Sequence, residues 1–116
     1  MYIDGFLAAV TTTSRDAYVE FASKMDPLFI EYGATRVVDG WGSDVPRGER
    51  TDFYRAVAAT EDETPVFGWI EWPDKATRDA GWDKMMKDER MAGHKQPFDG
   101  KRMVFGAFDA IVVEEK

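Results

Sequence analysis

The sequence predicts an α+β domain of the ferredoxin-like βαββαβ type, with an antiparallel sheet and helices packed on one of its faces. Short apolar segments rich in strand formers alternate with two segments of helical period. The chain has 116 residues, which is enough for one hydrophobic core and a single domain over 1–116. The closing segment is apolar on both faces of a strand, so we expect a homodimer that covers the second face.

The first third of the chain predicts a strand, a helix and a strand. The segment 2–10 is short, and it is apolar at both odd and even positions, which face opposite sides of a strand. The polar cluster after it is suited to capping a helix. From Arg15 to Gly33 apolar residues recur at spacings of three and four, which predicts an amphipathic helix with a kink or restart at Pro27. The segment 35–41 predicts a strand, either separate or the first half of a longer one.

The middle of the chain predicts a loop followed by a hairpin. The segment 42–50 is rich in turn residues, and a connection of this length is a candidate flap. The segments 52–59 and 66–72 are predicted as two antiparallel strands joined by an acidic turn.

A second helix is predicted to begin at Asp74 and to run to about Met86, with Gly81 weakening its centre. Its predicted charge pairs at favourable spacing are Asp74 with Arg78 and Asp83 with Lys87.

The chain closes with a polar connector and a long strand. The connector 88–96 has room for one helical turn, and the strand 103–113 contains Gly106 as a candidate bulge. In the ferredoxin-like topology this strand lies at an edge of the sheet, where a second subunit would protect it from aggregation.

Composition narrows the classes of partner. The net charge of −7 and a pI near 4.7 disfavour nucleic acids and anionic membranes. The absence of cysteine excludes disulfides, thiolate nucleophiles and cysteine-based metal sites. One histidine and no ligand-spacing motif predict no metal and no cofactor. The chain shows no basic leader and no apolar run of membrane-spanning length, so we expect a cytoplasmic protein.

Three motifs carry a resemblance to a known family: Tyr2-Ile3-Asp4-Gly5-Phe6, Pro65-Val66-Phe67-Gly68-Trp69-Ile70 and Pro97-Phe98-Asp99-Gly100-Lys101-Arg102-Met103. Together they resemble the YbaA-like family of uncharacterised bacterial proteins over essentially the full length. The resemblance implies the fold of the dimeric α+β barrel proteins, in which two ferredoxin-like subunits place their sheets face to face. That superfamily contains antibiotic-biosynthesis-type monooxygenases and muconolactone-isomerase-like proteins, whereas the family itself implies no activity.

The candidate catalytic residues are His94, Asp99 and Arg102. His94 is the only histidine, and imidazole is the usual acid or base near neutral pH, but its polar surroundings favour an ordinary solvated loop residue. Asp99 and Arg102 flank Gly100 at the mouth of the closing strand, where opposite charges can orient a carboxylate or an enolate. A tight turn with surface ion pairs is the simpler interpretation.

The candidate ligand-binding residues are Asp4, Trp41, Arg55, Trp69 and Lys101. Asp4 and Arg55 are charges among apolar residues, which is costly unless they pair or line a cavity. Trp41 and Trp69 are candidates for the walls of a flat apolar ligand, although strand aromatics more often belong to the core.

These observations predict a small homodimer that binds an apolar or aromatic small molecule, or that serves a structural role. The alternative is a cofactor-independent monooxygenase or isomerase, with His94 or Asp99 as the base and Arg102 stabilising an oxyanion.

Overall fold

Four strands form one antiparallel sheet in the computed structural model, which describes residues 1–116. They are β1 (Tyr2–Thr11), β2 (Arg36–Trp41), β3 (Glu63–Trp72) and β4 (Val104–Asp109). Three helices connect them, namely α1 (Arg15–Glu31), α2 (Phe53–Ala56) and α3 (Lys75–Lys87). The spatial order of the strands is β2-β3-β1-β4, so the predicted ferredoxin-like class is confirmed. None of the helices combines the length and the apolar character that crossing a membrane requires.

The two faces of the sheet differ in what covers them. Paired residues share a face, and successive residues along a strand alternate between faces. The face that α1 and α3 cover, called the helix face, carries Asp4, Ala8, Val10, Asp39, Trp41, Val66, Ile70 and Trp72. The opposite face, called the open face, carries Ile3, Gly5, Leu7, Val38, Phe67, Trp69, Val104, Gly106 and Phe108.

The core lies on the helix face in two clusters. The larger cluster packs α1 and α3 on the sheet around Trp72 and Met85, which are fully buried. The smaller cluster joins Tyr18 of α1 to Ala8, Val10 and Val66. Burial of these apolar side chains fixes α1 across the sheet and so determines what lies between α1 and β2.

Helix α1 is a single helix, so the predicted alternative of a restart at Pro27 with Asp26 as cap is wrong. The helix continues through Pro27 and ends at Glu31, before Gly33 adopts a φ of 115°. A proline ring removes one backbone hydrogen bond, but buried residues on both sides of it, Met25 and Leu28, hold the helix on the sheet.

The predicted strand over 52–59 is also wrong, because Phe53–Ala56 is the short helix α2. The Asp52 carboxylate accepts a hydrogen bond from the Arg55 backbone N at 2.8 Å, which caps this turn. The partner of β3 on this side is therefore β2, from Arg36 with Glu71 to Trp41 with Val66, and the segment 36–41 is a complete strand.

The closing strand is shorter and more regular than predicted. Strand β4 ends at Asp109, and residues 110–116 have no regular structure. Gly106 pairs directly with Gly5 in an unbroken register, so the predicted bulge is wrong. Because β4 pairs only with β1, its predicted position at the edge of the sheet is confirmed.

Helix α3 confirms the predicted cap and one of the two predicted charge pairs. The Asp74 carboxylate accepts from the Thr77 backbone N at 2.7 Å, and Lys87 pairs with Asp83 at 3.0 Å. The Arg78 guanidinium bonds Asp4 of β1 instead of the Asp74 side chain.

Candidate functional site

A groove with a volume of about 910 Å³ lies between α1 and β2. It opens at the side of the domain, because β2 is an edge strand of the sheet. Its apolar and aromatic lining consists of Tyr18, Val19, Ala22, Pro27, Ile30, Val37 and Trp41. Apolar walls with a few polar groups between them are typical of small-molecule sites.

Two carboxyl groups meet in this groove. Asp26 is on α1 and Asp39 is on the helix face of β2, and the two are close enough for Asp39 to raise the pKa of Asp26. The Tyr18 hydroxyl donates to Asp39 Oδ1 at 2.7 Å. Asp39 Oδ2 is buried and has no hydrogen-bond partner. A buried acceptor without a donor is unfavourable, so the pair favours holding a proton.

The protonation of the pair follows from its surroundings. Burial raises the pKa of Asp26 to about 8, and the hydrogen bond and the negative charge of Asp39 add to the effect. Burial also raises the pKa of Tyr18, and its bond to Asp39 acts in the same direction. Near neutral pH the Asp26 carboxyl therefore holds a proton, while the Tyr18 phenol remains a donor.

Aromatic rings form one end of the groove. The Tyr18 and Trp41 rings lie 6.2 Å apart at 53°, and Phe98 packs on the other side of Tyr18 at 6.5 Å. Trp41, a predicted ligand-binding residue, thus lines the groove beside Asp39.

Two arginines lie along the rim of the groove. Arg36 Nε is 3.2 Å from the Glu71 carboxylate, so its charge is already paired. Arg15, at the first turn of α1, has no acidic partner within 4.0 Å.

Asp4, another predicted ligand-binding residue, is part of a closed polar cluster instead. Its carboxylate accepts from Trp72 Nε1 at 2.9 Å, from Trp82 Nε1 at 2.8 Å, and from Arg78 at distances down to 2.7 Å. These donors occupy both oxygens, and the residue is only 8% exposed. Asp4 does not line the groove, and its contacts are those of a structural anchor between β1 and α3.

The predicted catalytic residues Asp99 and Arg102 lie in a different ion-pair cluster. The Arg102 guanidinium forms a bidentate ion pair with the Glu63 carboxylate, with both hydrogen bonds at 2.8 Å. It also donates to the Asp99 carboxylate at 3.1 Å and to the Ala58 carbonyl at 2.9 Å. The Arg102 guanidinium lowers the pKa of Glu63 to about 2. The pKa of Asp99 is lowered as well, chiefly by the Lys101 backbone N–H. This cluster ties the start of β3 to the turn before β4.

The remaining predicted residues lie apart from the groove. His94 and Lys101 are exposed, and their side chains make no hydrogen bond. Arg55 is exposed on α2 and donates to the Gly48 carbonyl at 2.9 Å. Trp69 lies on the open face, opposite to Trp41, so the two indoles cannot wall one ligand within a subunit.

The comparisons with known proteins agree with this fold. The family model described as "Protein of unknown function (DUF1428)" matches residues 1–100. The chain belongs to this family. It is 54% identical over 115 residues to "Uncharacterized protein YbaA" of Escherichia coli K12, a match that covers 97% of this chain and 98% of the relative. The YbaA protein of Shigella flexneri is similar to the same extent, so the predicted resemblance is confirmed.

Two solved structures share the fold of this DUF1428 chain. An uncharacterised NIPSNAP domain protein from Burkholderia xenovorans superposes with a TM-score of 0.61 at 12% identity, over 99% of this chain and 100% of that one. A protein from an uncultured marine organism, described as a dimeric ferredoxin-like protein, gives a TM-score of 0.53 at 11% identity over 99% and 98%. At such identities the similarity establishes the fold alone.

The sequence interpretation of this DUF1428 chain missed the carboxyl pair. The sequence of β2 could have indicated Asp39, because it alternates with Val37 and Trp41 and so lies on the same, covered face of the strand. Gly68 is a second signal, because a Cβ there would lie 3.0 Å from Asp39 Oδ1 and 2.4 Å from the Phe6 ring. Asp26 gave no comparable signal, since an aspartate before a proline is also a common helix cap.

Proposed function

We propose that this protein binds a small molecule with an apolar or aromatic body in the groove between α1 and β2, and that it does so as a homodimer. The observation that carries the proposal is the lining of the groove, where aromatic and aliphatic walls surround a half-buried carboxyl pair. Such a lining supplies apolar area for affinity and a few polar groups for orientation. The predicted cytoplasmic location is part of the same proposal.

Ligand binding is tested by thermal unfolding against a panel of aromatic and aliphatic acids, alcohols and amines. A ligand present at 100 times its Kd stabilises the native state by about 2.7 kcal/mol, which corresponds to a rise in Tm on the order of 10 °C. We expect Trp41→Ala to abolish the shift, because it removes an aromatic wall of the groove. Met86→Ala shortens an exposed side chain on α3 and is the control that retains the shift. A panel without any shift at millimolar concentration would overturn the proposal.

The open face supports the homodimer. Its aromatic residues Phe67 and Phe108 are 46% and 60% exposed, and Val104 beside them is also exposed. The tail after β4 also exposes apolar side chains, with Ile111 92% exposed. Only the short helix α2 packs here, where the Phe53 ring meets Phe67 at 6.2 Å. Contiguous apolar surface on an antiparallel sheet marks an interface with another protein, and one structural neighbour is described as dimeric.

We expect light scattering at micromolar concentration to give twice the chain mass of 13.2 kDa. Phe108→Asp is expected to reduce the mass to that of one chain, because it places a charge in the centre of the buried surface. Phe105→Asp is the matched control, since Phe105 lies on the same strand and is also exposed, at 74% against 60% for Phe108, but points away from the open face. A wild-type protein with the mass of a single chain would contradict the dimer.

The cofactor-independent monooxygenase or isomerase stays a hypothesis. Its predicted residues, His94, Asp99 and Arg102, do not line the groove, and two of them are engaged in ion pairs. The geometry therefore favours ligand binding over that scheme.

A further inference from the structure

We infer that the ligand of the groove is an organic cation, a protonated amine on an apolar or aromatic body, whose N–H groups bond Asp26 and Asp39. This inference rests on the proposed function, because it specifies the class of molecule that the groove takes. It depends on three features: a carboxyl pair with an unfilled acceptor, an aromatic wall next to the pair, and the balance of charge around them.

The carboxyl pair has more acceptors than the protein has donors. Tyr18 donates to Asp39 Oδ1, whereas Asp39 Oδ2 is buried and has no hydrogen-bond partner. One proton satisfies one of the remaining oxygens and leaves a net negative charge on the pair. An ammonium group supplies three donors and a full positive charge, so it satisfies both carboxylates better than the single proton does.

The aromatic wall favours an organic cation over a metal ion. Trp41 lies two positions from Asp39 on the same face of β2, so an ammonium group bound to the carboxylate is also near the Trp41 indole. Val19 and Ile30 line the groove further along α1 and offer an apolar surface to the body of the ligand. Hard divalent cations need six or more oxygen ligands, and no group of three or more acidic or histidine side chains is present in the structure.

The surrounding charges also oppose an anion. The other titratable or charged groups that line the groove are Tyr18 and Arg15 on α1 and Arg36 on β2, whose position in the strand directs its side chain towards the open face. Arg36 is paired with Glu71, which leaves Arg15 at one end of the groove as the single unpaired cation. A carboxylate ligand would meet the negative pair in the middle of the groove, in a protein whose net charge is −7.

The inferred mode of binding releases a proton. At pH values below about 8, the pKa of Asp26, this carboxyl holds a proton in the free protein, and an ammonium group displaces that proton to the solvent. Apparent affinity for the amine therefore rises with pH while the pair is protonated and levels off once it is ionised. For one displaced proton and a pKa of about 8, we expect the Kd for the amine to decrease about fifty-fold between pH 6 and pH 8. Tyr18 remains neutral throughout this range, because burial raises the pKa of its phenol.

The test uses three probes of similar shape and different charge: phenethylamine, phenethyl alcohol and hydrocinnamate. Titration calorimetry of the wild-type protein at pH 6, 7 and 8, in two buffers of different ionisation enthalpy, measures both Kd and the protons released. We expect the amine to bind at least tenfold more tightly than the alcohol at pH 8 and to release about one proton at pH 6. We expect hydrocinnamate to bind most weakly.

Asp26→Asn identifies the source of the proton. This variant is expected to bind the amine with a Kd independent of pH and at least tenfold weaker at pH 8, while its Kd for the alcohol changes by less than threefold. Asp16→Asn, at an exposed position of α1 outside the groove, is the charge-matched control and should behave as the wild type. Circular dichroism of both variants verifies that they are folded.

The outcomes separate the two proposals. Equal affinities for the amine and the alcohol, or an amine Kd that does not change with pH in the wild type, would overturn the organic cation and leave the proposed function standing. Preference for hydrocinnamate would also overturn it, and would indicate Arg15 as the anchor of an anion. Failure of all three probes to bind would contradict both proposals.

Discussion

Replacement of Asp4 by alanine is expected to lower the free energy of unfolding by about 3 to 5 kcal/mol. Removal of its carboxylate leaves the indole N–H groups of Trp72 and Trp82 and the guanidinium of Arg78 without their acceptor. Trp72 is fully buried, so its N–H has no access to water. The Arg78 guanidinium keeps its bond to Asp79 at 3.0 Å, but the two indole N–H groups and the remaining guanidinium N–H groups lose their acceptor, so the cost exceeds that of one lost hydrogen bond.

Urea unfolding followed by tryptophan fluorescence measures this loss. Asp83→Ala is the control, because Asp83 pairs with Lys87 on the exposed surface of the same helix, where we expect a change of about 0.5 kcal/mol or less. Asp4→Asn retains an acceptor oxygen but loses the charge, and should lie between the control and Asp4→Ala. A loss below about 1 kcal/mol for Asp4→Ala would show that the cluster is not a structural anchor.

The Asp4 cluster illustrates what the sequence predicts and what it does not. A charge within an apolar strand must be paired, and that requirement follows from the sequence alone. The partner does not, because Arg78 lies 74 positions away and local spacing suggested Asp74 as its counterion. The strand order and the two long helices follow from periodicity, which is local. Ion pairs between elements, such as that of Arg78 with Asp4, depend on the position of α3 on the sheet, and side-chain packing determines that position.

In the groove, too, the sequence predicts the face on which a residue lies but not which residue of another element it meets. Alternation in β2 is enough to place Asp39 on the covered face together with Trp41. The meeting of Asp39 with Asp26 depends on the rotation and position of α1, which the burial of Met25, Leu28 and Phe29 determines. The error at α2 has a related cause. Phe53 and Val57 have strand propensity, but the Asp52 cap and the packing of Phe53 on Phe67 stabilise one helical turn instead.

Gly81→Ala is expected to lower the free energy of unfolding by about 1 to 3 kcal/mol, although alanine is the better helix former by about 1 kcal/mol. Gly81 is buried in α3, and the glycine allows the helix to approach the sheet closely. A Cβ at this position would lie 2.6 Å from Trp72 Cζ3 and 2.9 Å from the Tyr32 carbonyl oxygen. Trp72 cannot easily move away, because it is fully buried and its indole N–H bonds Asp4. The overlap therefore outweighs the gain in helix propensity.

Ala80→Gly separates packing from propensity at the neighbouring exposed position, where we expect a loss of about 1 kcal/mol from the ordinary preference of helices for alanine. Under this account Gly→Ala and Ala→Gly changes at adjacent positions of one helix both destabilise the protein. Trp72→Phe provides the second control: it removes the ring atoms that a Cβ at Gly81 would meet, so the double variant should lose less than the sum of the single variants. If Gly81→Ala raised the free energy of unfolding, or if the two changes were additive, the close approach of α3 to Trp72 would not be what requires glycine there.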